Sequence, residues 1–276
     1  MAREVTPSDL TITPRDRRFG RGKKTDRWWN GGDPVATALY NALSATFPRG
    51  EAFFVESVRK FRDDAPPKLA EEIRAFTTQE VMHSREHVAF NKRAHEAGYD
   101  LKPLEDRVEW RLDMVRERPP IASLAATMAL EHFTAILAHE LLRDPRHLGQ
   151  AEPESAALWK WHAAEEIEHK GVAYDTWLFA TRDWPASKRW KVKAKVMLLV
   201  TRNFIVDRTL EVARHPQLHR RPHFGLARAA PPGRRYRPEG LGQADLVHVG
   251  APGNDAPDLQ RLGEIFPVRF PPLERR

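Results

Sequence analysis

Six acidic and imidazole side chains of this 276-residue chain stand in stretches that are otherwise apolar or built from small residues. They are Glu51, Glu80, His83, Glu131, Glu166 and His169. In two pairs, Glu80/His83 and Glu166/His169, the residues are three apart, so on a helix both project from the same face. Carboxylate and neutral imidazole groups together are typical ligands of Fe, Mn or Zn. The residue types and their spacing therefore indicate a metal centre.

The spacing along the chain also places these groups at one depth. About 12 residues separate Glu51 from the break at 63–67, and about 13 lead on to Glu80, or roughly 18 and 20 Å of helix. An antiparallel hairpin therefore brings the two glutamates level. Glu131 and Glu166 likewise each lie about 12 residues from the break between them. Each hairpin thus presents one lone glutamate and one Glu-x-x-His pair, the ligand arrangement of a dimetal site in a helical bundle.

The elements that must position these groups are helices. Apolar residues recur at helical spacing between 34 and 215, and no sustained alternation typical of a half-buried strand occurs. Proline and glycine cluster at the breaks, and Pro48 separates the first two helices. The predicted helices are 34–46, 49–62, 67–97, 102–117, 120–142, 154–181 and 187–214. The pattern predicts an all-α bundle, with 98–119 crossing between the hairpins.

Three motifs carry a resemblance to known proteins: 47–54 (FPRGEAFF), 79–83 (QEVMH) and 161–170 (WHAAEEIEHK). They resemble the ferritin-like di-iron carboxylate superfamily and, more closely, bacterial proteins described as predicted metal-dependent hydrolases. The resemblance covers roughly 30–215. It implies a ferritin-like four-helix bundle with extra helices.

The resemblance also implies that the six residues are ligands of two metal ions, iron in the first instance, with manganese or zinc as alternatives. Glu80 and Glu166 face each other from neighbouring hairpins and are candidates to bridge the metals, with Glu131 as a competitor for that role.

Further polar residues near the motifs leave alternatives open. His162 lies one turn before Glu166 and resembles the extra histidine ligand of di-iron arylamine N-oxygenases; it is either a seventh ligand or a histidine beside the ligands or at the surface. His87, one turn after His83, is expected beside the ligands or at the surface. Glu165 and Glu168 are expected to be solvated or paired with basic residues, and Tyr174 to be a packed aromatic residue.

The favoured functional prediction is a di-iron oxidase or oxygenase that activates O₂ toward a small, largely apolar substrate with an unidentified electron donor. A hydrophobic channel is expected beside Glu131, lined by Ala125, Ala126, Thr127, Met128, Ala129 and Phe133. The first alternative is a dimetal hydrolase that activates bound water. The second is a helical bundle that handles metal without catalysis.

Composition sets outer limits. The absence of cysteine excludes disulfides, thiolate nucleophiles and iron–sulfur ligation. The net charge of +7 is concentrated in two basic arms, 1–27 and the proline- and arginine-rich 216–276, around a nearly neutral body at 28–215. No sequence signature supports a specific nucleic-acid partner. We expect no membrane span and no secretory signal, and therefore a cytoplasmic protein. The helix 187–214, basic and then apolar, could contact a membrane surface but more simply packs on the bundle, and homodimerisation stays open.

Overall fold

The computed structural model describes residues 12–214, with side chains described as far as residue 205. This part of the chain forms six α-helices and one short 3₁₀ helix at Pro145–His147. The helices are α1 (Pro34–Arg59), α2 (Pro67–Glu96), α3 (Lys102–Arg116), α4 (Pro120–Arg143), α5 (Pro153–Ala180) and α6 (Ala186–Arg214). The predicted all-α class is confirmed. The irregular C-terminal arm at 216–276 lies outside the described residues, and the proposed division at 27 and 215 stays a prediction.

Local sequence explains where the helices begin. The first five α-helices all carry proline in their first turn, where a missing amide N–H costs no helical hydrogen bond. Asp33 caps α1, because its carboxylate accepts from the amides of Val35 and Ala36 at 2.9 and 3.1 Å. The side chain of Glu152 caps α5 in the same way.

The predicted break at Pro48 is wrong, because α1 continues through it from Pro34 to Arg59. A proline inside a helix removes the hydrogen bond to the carbonyl four residues earlier, here that of Ser44. In the structure the side-chain amide of Asn91 on α2 donates to this carbonyl at 3.1 Å. A tertiary hydrogen bond therefore replaces the lost helical one, which sequence periodicity alone does not reveal.

Four of the helices form the bundle that holds the predicted ligands. The pairs α1/α2 and α4/α5 are the two hairpins, and they pack together through contacts of α1 with α4 and of α2 with α5. The crossover predicted at 98–119 is α3, which lies against α1 and α4. The last helix, α6, packs on α4 and α1. These contacts are compatible with a four-helix bundle with two additional helices.

Two apolar clusters fill the bundle above and below the predicted ligands. One cluster includes Phe53, Ile73, Leu124 and Val172, and the other includes Tyr40, Phe90, Leu141 and Trp159. On every hairpin helix the ligand positions fall between the residues of the first cluster and those of the second, except for His162 on α5, which is followed by Ala163 of the second cluster. The candidate site is therefore enclosed between two layers of packed side chains.

The described part of the N-terminal segment lies on the bundle. Ile12 is buried in the first apolar cluster, and Gly20 adopts a positive φ of 58° where its backbone meets the guanidinium of Arg93. Arg15 and Arg21 form ion pairs with the buried carboxylates of Glu165 and Glu86. Residues 12–27 thus combine exposed basic side chains with specific contacts to α2 and α5.

Two helices, α4 and α6, are relevant to whether the protein spans or contacts a membrane. Among the described residues, α4 has the length and apolar composition of a membrane-crossing helix, which we did not expect; half of its most apolar stretch is buried, as in core helices that pass the same test. On α6, Phe204 stacks on Phe133 of α4 with ring centroids 5.6 Å apart, while Trp190 and Leu198 are exposed. Membrane-surface contact by α6 stays a prediction.

Removal of a core side chain should destabilise the bundle far more than removal of an exposed one on the same helix. Ile73→Ala, at a position with no solvent exposure, should lower the free energy of unfolding by about 2–5 kcal/mol. Val81→Ala, at a position that is 59% exposed, should change it by less than about 0.5 kcal/mol. Urea unfolding of the metal-free protein measures both, and equal effects would contradict the described core.

Candidate metal centre

The structure brings all seven predicted ligand residues together in the interior of the bundle. All are buried, and the most exposed, Glu166, has a relative exposure of only 5%. They come from four helices: Glu51 from α1, Glu80 and His83 from α2, Glu131 from α4, and His162, Glu166 and His169 from α5.

Glu166 is at the centre of the group. Its Oε1 atom lies 2.8 Å from Nε2 of His162, 3.3 Å from Nδ1 of His169 and 3.5 Å from Nδ1 of His83. Glu80 also lies between two imidazoles, with its oxygens 3.2 Å from Nδ1 of His169 and 3.8 Å from Nδ1 of His83. Of the glutamates, these two contact more than one imidazole, as expected of ligands shared by two ions.

The other two glutamates, Glu51 and Glu131, each lie near a different imidazole. Glu51 Oε1 is 3.7 Å from Nε2 of His162, and Glu131 Oε2 is 3.9 Å from Nδ1 of His169. Two sets of donor atoms, each within 4.8 Å of one another, could hold an ion: Glu80, His83, Glu166 and His169, and Glu51, His83 and His162. The glutamate that competes for the bridging role, Glu131, thus contacts a single imidazole here.

Many buried oxygen and nitrogen atoms at this centre that could bind a metal ion make no hydrogen bond with any described residue. They are one oxygen each of Glu51 and Glu166, both oxygens of Glu80 and Glu131, and Nδ1 of His83 and His169. Buried polar atoms in native proteins are nearly always hydrogen-bonded, because an unsatisfied one costs about 1–3 kcal/mol. Eight such atoms in one place fit a centre whose partners are cations.

The ring nitrogens that point away from the centre do have partners. Nε2 of His83 lies 2.9 Å from Glu165, Nε2 of His169 lies 3.0 Å from the side-chain oxygen of Gln79, and Nδ1 of His162 lies 2.5 Å from Nε2 of His87. Such contacts orient metal-binding imidazoles and fix which nitrogen is free. One nitrogen of each imidazole is thereby left facing the carboxylates.

Two of these partners were not predicted. Glu165 is fully buried rather than solvated; it is also paired with Arg15 at 3.1 Å, in keeping with the expectation of a basic partner. Gln79 is the first residue of the motif at 79–83, one turn before His83, but no role is predicted for it from the sequence. Its amide NH₂ donates to Glu168 at 3.0 Å, which leaves its oxygen to accept from His169. Only the packing of α2 against α5 reveals either role.

The charges of the centre shift the pKa values in opposite directions. Burial and repulsion by neighbouring carboxylates raise the pKa values of Glu51 and Glu131 well above their ordinary values. Burial alone would lower the pKa of His169, but attraction to Glu80 and Glu166 raises it to about 9. Burial alone would raise the pKa of Glu166, but attraction to His162 and His169 lowers it well below its ordinary value. Without metal, protons therefore neutralise part of the cluster.

A small cavity adjoins the centre, but not where the channel was expected. It measures about 50 Å³, and its wall includes Tyr40, Leu137, Trp159 and Phe204 together with the two predicted ligands His162 and Glu166. The expected channel residues Ala125, Met128 and Ala129 are instead buried, the first two within an apolar cluster. On α4 the cavity is lined by Thr134, Leu137, Ala138 and Leu141, which follow Glu131 rather than precede it.

Loss of one carboxylate that faces the centre should reduce metal binding, whereas loss of an exposed carboxylate should not. We expect Glu131→Ala to lose at least one of two bound metal ions per chain, because both oxygens of Glu131 face the centre without a hydrogen bond from a described residue. Glu71→Ala, at an exposed position on α2, should retain both ions. Metal analysis of the reconstituted proteins checks this, and equal metal content in the two variants would contradict the assignment.

Metal binding should strengthen as the pH rises. Because the pKa values of Glu51, Glu131 and His169 are raised in the metal-free protein, these groups hold protons that a cation must displace. The apparent affinity should rise with pH through about 9, the pKa of His169. Calorimetric titrations in buffers of different ionisation enthalpy should show proton release. An affinity independent of pH would contradict the proton-filled centre.

Comparison with known proteins agrees with this geometry. Residues 13–230 match the family model described as predicted metal-dependent hydrolase, starting earlier and ending later than the resemblance at 30–215 indicated. Comparisons with the curated proteins and with the solved structures gave no match. The matched segment contains all seven candidate ligands and the residues that orient them, and it spans more than half of the chain. The chain therefore belongs to the family of predicted metal-dependent hydrolases.

Proposed function

We propose that this protein is a dinuclear metalloenzyme whose two ions are held by Glu51, Glu80, His83, Glu131, Glu166, His169 and His162. The observation that carries the proposal is the set of eight buried donor atoms that face one another without hydrogen bonds from the described residues. Four carboxylates and three imidazoles supply mixed oxygen and nitrogen donors, which suit Fe, Mn or Zn. Glu80 and Glu166 would be the ligands shared between the ions, because each contacts more than one imidazole.

Hydrolysis is the first candidate reaction, and it was our alternative rather than our favoured prediction. The family description supports it over the oxidoreductase reading. Paired ions would supply an activated water at neutral pH. The chain's contribution is to fix the donors: Glu165 orients His83, Gln79 orients His169, and Ser84 donates to Glu51 at 2.7 Å.

Oxygen chemistry is a second candidate, favoured by the cavity. Its wall is formed almost entirely by apolar and aromatic side chains, yet it reaches Glu166 and His162. Such a space suits O₂ or the apolar end of a small substrate better than a charged ester. Iron ions at this centre would supply the electrons needed to reduce O₂. The side chains that line the cavity, including Leu137 and Phe204, would keep bulk water away from the centre.

The two candidates differ in metal and oxygen requirements. For hydrolysis we expect the zinc- or manganese-loaded protein to cleave p-nitrophenyl acetate or bis(p-nitrophenyl) phosphate without O₂, and Glu166→Ala to abolish the cleavage. For oxygen chemistry we expect the Fe(II)-loaded protein to consume O₂ in an oxygen electrode, without metal-dependent ester cleavage. Glu71→Ala, at an exposed position on α2 more than two turns before Glu80, is the matched control for both.

If the protein binds two ions but shows neither of these activities, that result would contradict the enzyme proposal and favour the metal-handling alternative. Absence of stoichiometric metal in the wild-type protein would contradict the dinuclear centre itself.

A further inference from the structure

A line of buried polar side chains connects the proline inside α1 to His162. Because Pro48 has no amide hydrogen, the carbonyl of Ser44 is open to the side-chain NH₂ of Asn91, which donates to it at 3.1 Å. A carbonyl accepts only, so this contact fixes which end of the Asn91 amide is which. Its oxygen must then face the hydroxyl of Ser44, at 2.5 Å.

The direction of each remaining hydrogen bond follows from this fixed amide. The oxygen of Asn91 can only accept, so the single hydroxyl proton of Ser44 is donated to it. Ser44 must therefore accept from the other neighbour of its hydroxyl, Nδ1 of His87, at 2.8 Å. Nδ1 of His87 thus carries a hydrogen.

The position of the hydrogen on His87 in turn determines which nitrogen of His162 carries hydrogen. The partners of His87 in these hydrogen bonds, Ser44 and His162, carry no negative charge, and a buried imidazolium without a counter-ion is costly, so a neutral ring is favoured. A neutral ring with hydrogen on Nδ1 has a lone pair on Nε2. That lone pair accepts from Nδ1 of His162 at 2.5 Å. Nε2 of His162 is then the one nitrogen of that ring able to offer a lone pair.

We infer that Asn91, Ser44 and His87 are positioning residues that keep hydrogen on Nδ1 of His162 and leave its Nε2 free for a cation. The inference rests on the proposed dinuclear centre. The freed nitrogen lies 2.8 Å from Glu166 Oε1 and 3.7 Å from Glu51 Oε1. The 2.8 Å contact with Glu166 requires a positive charge between the two atoms, either a proton that makes it a hydrogen bond or a bound ion, because a lone pair facing a carboxylate is repulsive.

Aromatic rings enclose the hydrogen-bonded histidines. Phe47 packs edge-on against both His87 and His162, with ring centroids 4.7 Å apart in each case. Trp159 packs edge-on against His87 at 5.2 Å. Both imidazoles are buried, so water is poorly placed to replace a lost member of the line. Removal of His87 should therefore leave Nδ1 of His162 without an acceptor, and the ring should move its hydrogen to Nε2, toward Glu166.

Nitrogen-15 NMR of the histidine-labelled protein tests the hydrogen positions directly. In the metal-free wild type we expect Nδ1 of both His87 and His162 to carry hydrogen, with His87 Nε2 unprotonated. In the zinc-loaded protein His162 Nδ1–H should persist while Nε2 takes the shift of a bound nitrogen. An unprotonated Nδ1 on His162 in the wild type would overturn the inference, whether or not metal binds.

Metal titration of variants tests the consequence. His87→Phe should keep the packing but weaken binding of one zinc ion by about 10- to 100-fold, the usual effect of losing a group that orients a ligand. His87→Gln, whose amide can accept from His162 and donate to Ser44, should restore most of the affinity. His95→Phe on the same helix, which loses a hydrogen bond to the carbonyl of Tyr99, is the matched control and should bind like the wild type.

The outcomes separate this inference from the function beneath it. A wild type that binds no metal ends the dinuclear proposal, while its metal-free NMR spectrum still confirms or overturns the hydrogen positions. A wild type that binds two ions with an unaffected His87→Phe variant overturns the positioning role alone. Equal weakening in the Phe, Gln and His95 variants would show a general loss of packing and would also overturn it. If His87→Phe does not fold, Ser44→Ala takes its place in the same titration.

Discussion

The structure depends on keeping four glutamates ionisable in the dry interior of a helical bundle. Transfer of a carboxylate from water to a protein interior costs several kcal/mol, and like charges in one cluster add repulsion. Protons and imidazolium groups offset this cost without metal, which is why the pKa values of Glu51, Glu131 and His169 are raised. Divalent cations offset it more completely. The family assignment to metal-dependent proteins and the buried donor atoms thus express the same constraint.

The surrounding polar network has the form such a centre requires. Each of the three inward imidazoles has its outward nitrogen held by a different group: Glu165, Gln79 or His87. Residues remote in sequence hold these groups in turn. Arg15 pairs with Glu165 across 150 positions, so the segment before α1 contributes to the orientation of His83. A family match that begins at residue 13 is consistent with this contribution.

Local rules were sufficient to predict the parts of the site that repeat along helices. The 1.5 Å rise and the positions of the breaks predicted that Glu51, Glu80, Glu131 and Glu166 share one depth, and the structure brings them together. The rules failed where a tertiary contact decides. Pro48 was expected to end a helix, but the amide of Asn91 satisfies the carbonyl that it leaves open. The burial of Glu165 and the place of the cavity likewise depend on how α5 meets α2 and α4, which spacing along one helix cannot give.

The central claim is that two cations occupy the cluster of buried glutamates, and anomalous X-ray diffraction from crystals loaded with manganese tests it most directly. The account predicts two anomalous peaks per chain, about 3.5–4 Å apart, with oxygens of Glu80 and Glu166 lying between them and Nε2 of His162 bound to one ion. Absence of peaks there, or peaks confined to surface carboxylates while the interior cluster stays metal-free, would contradict the account.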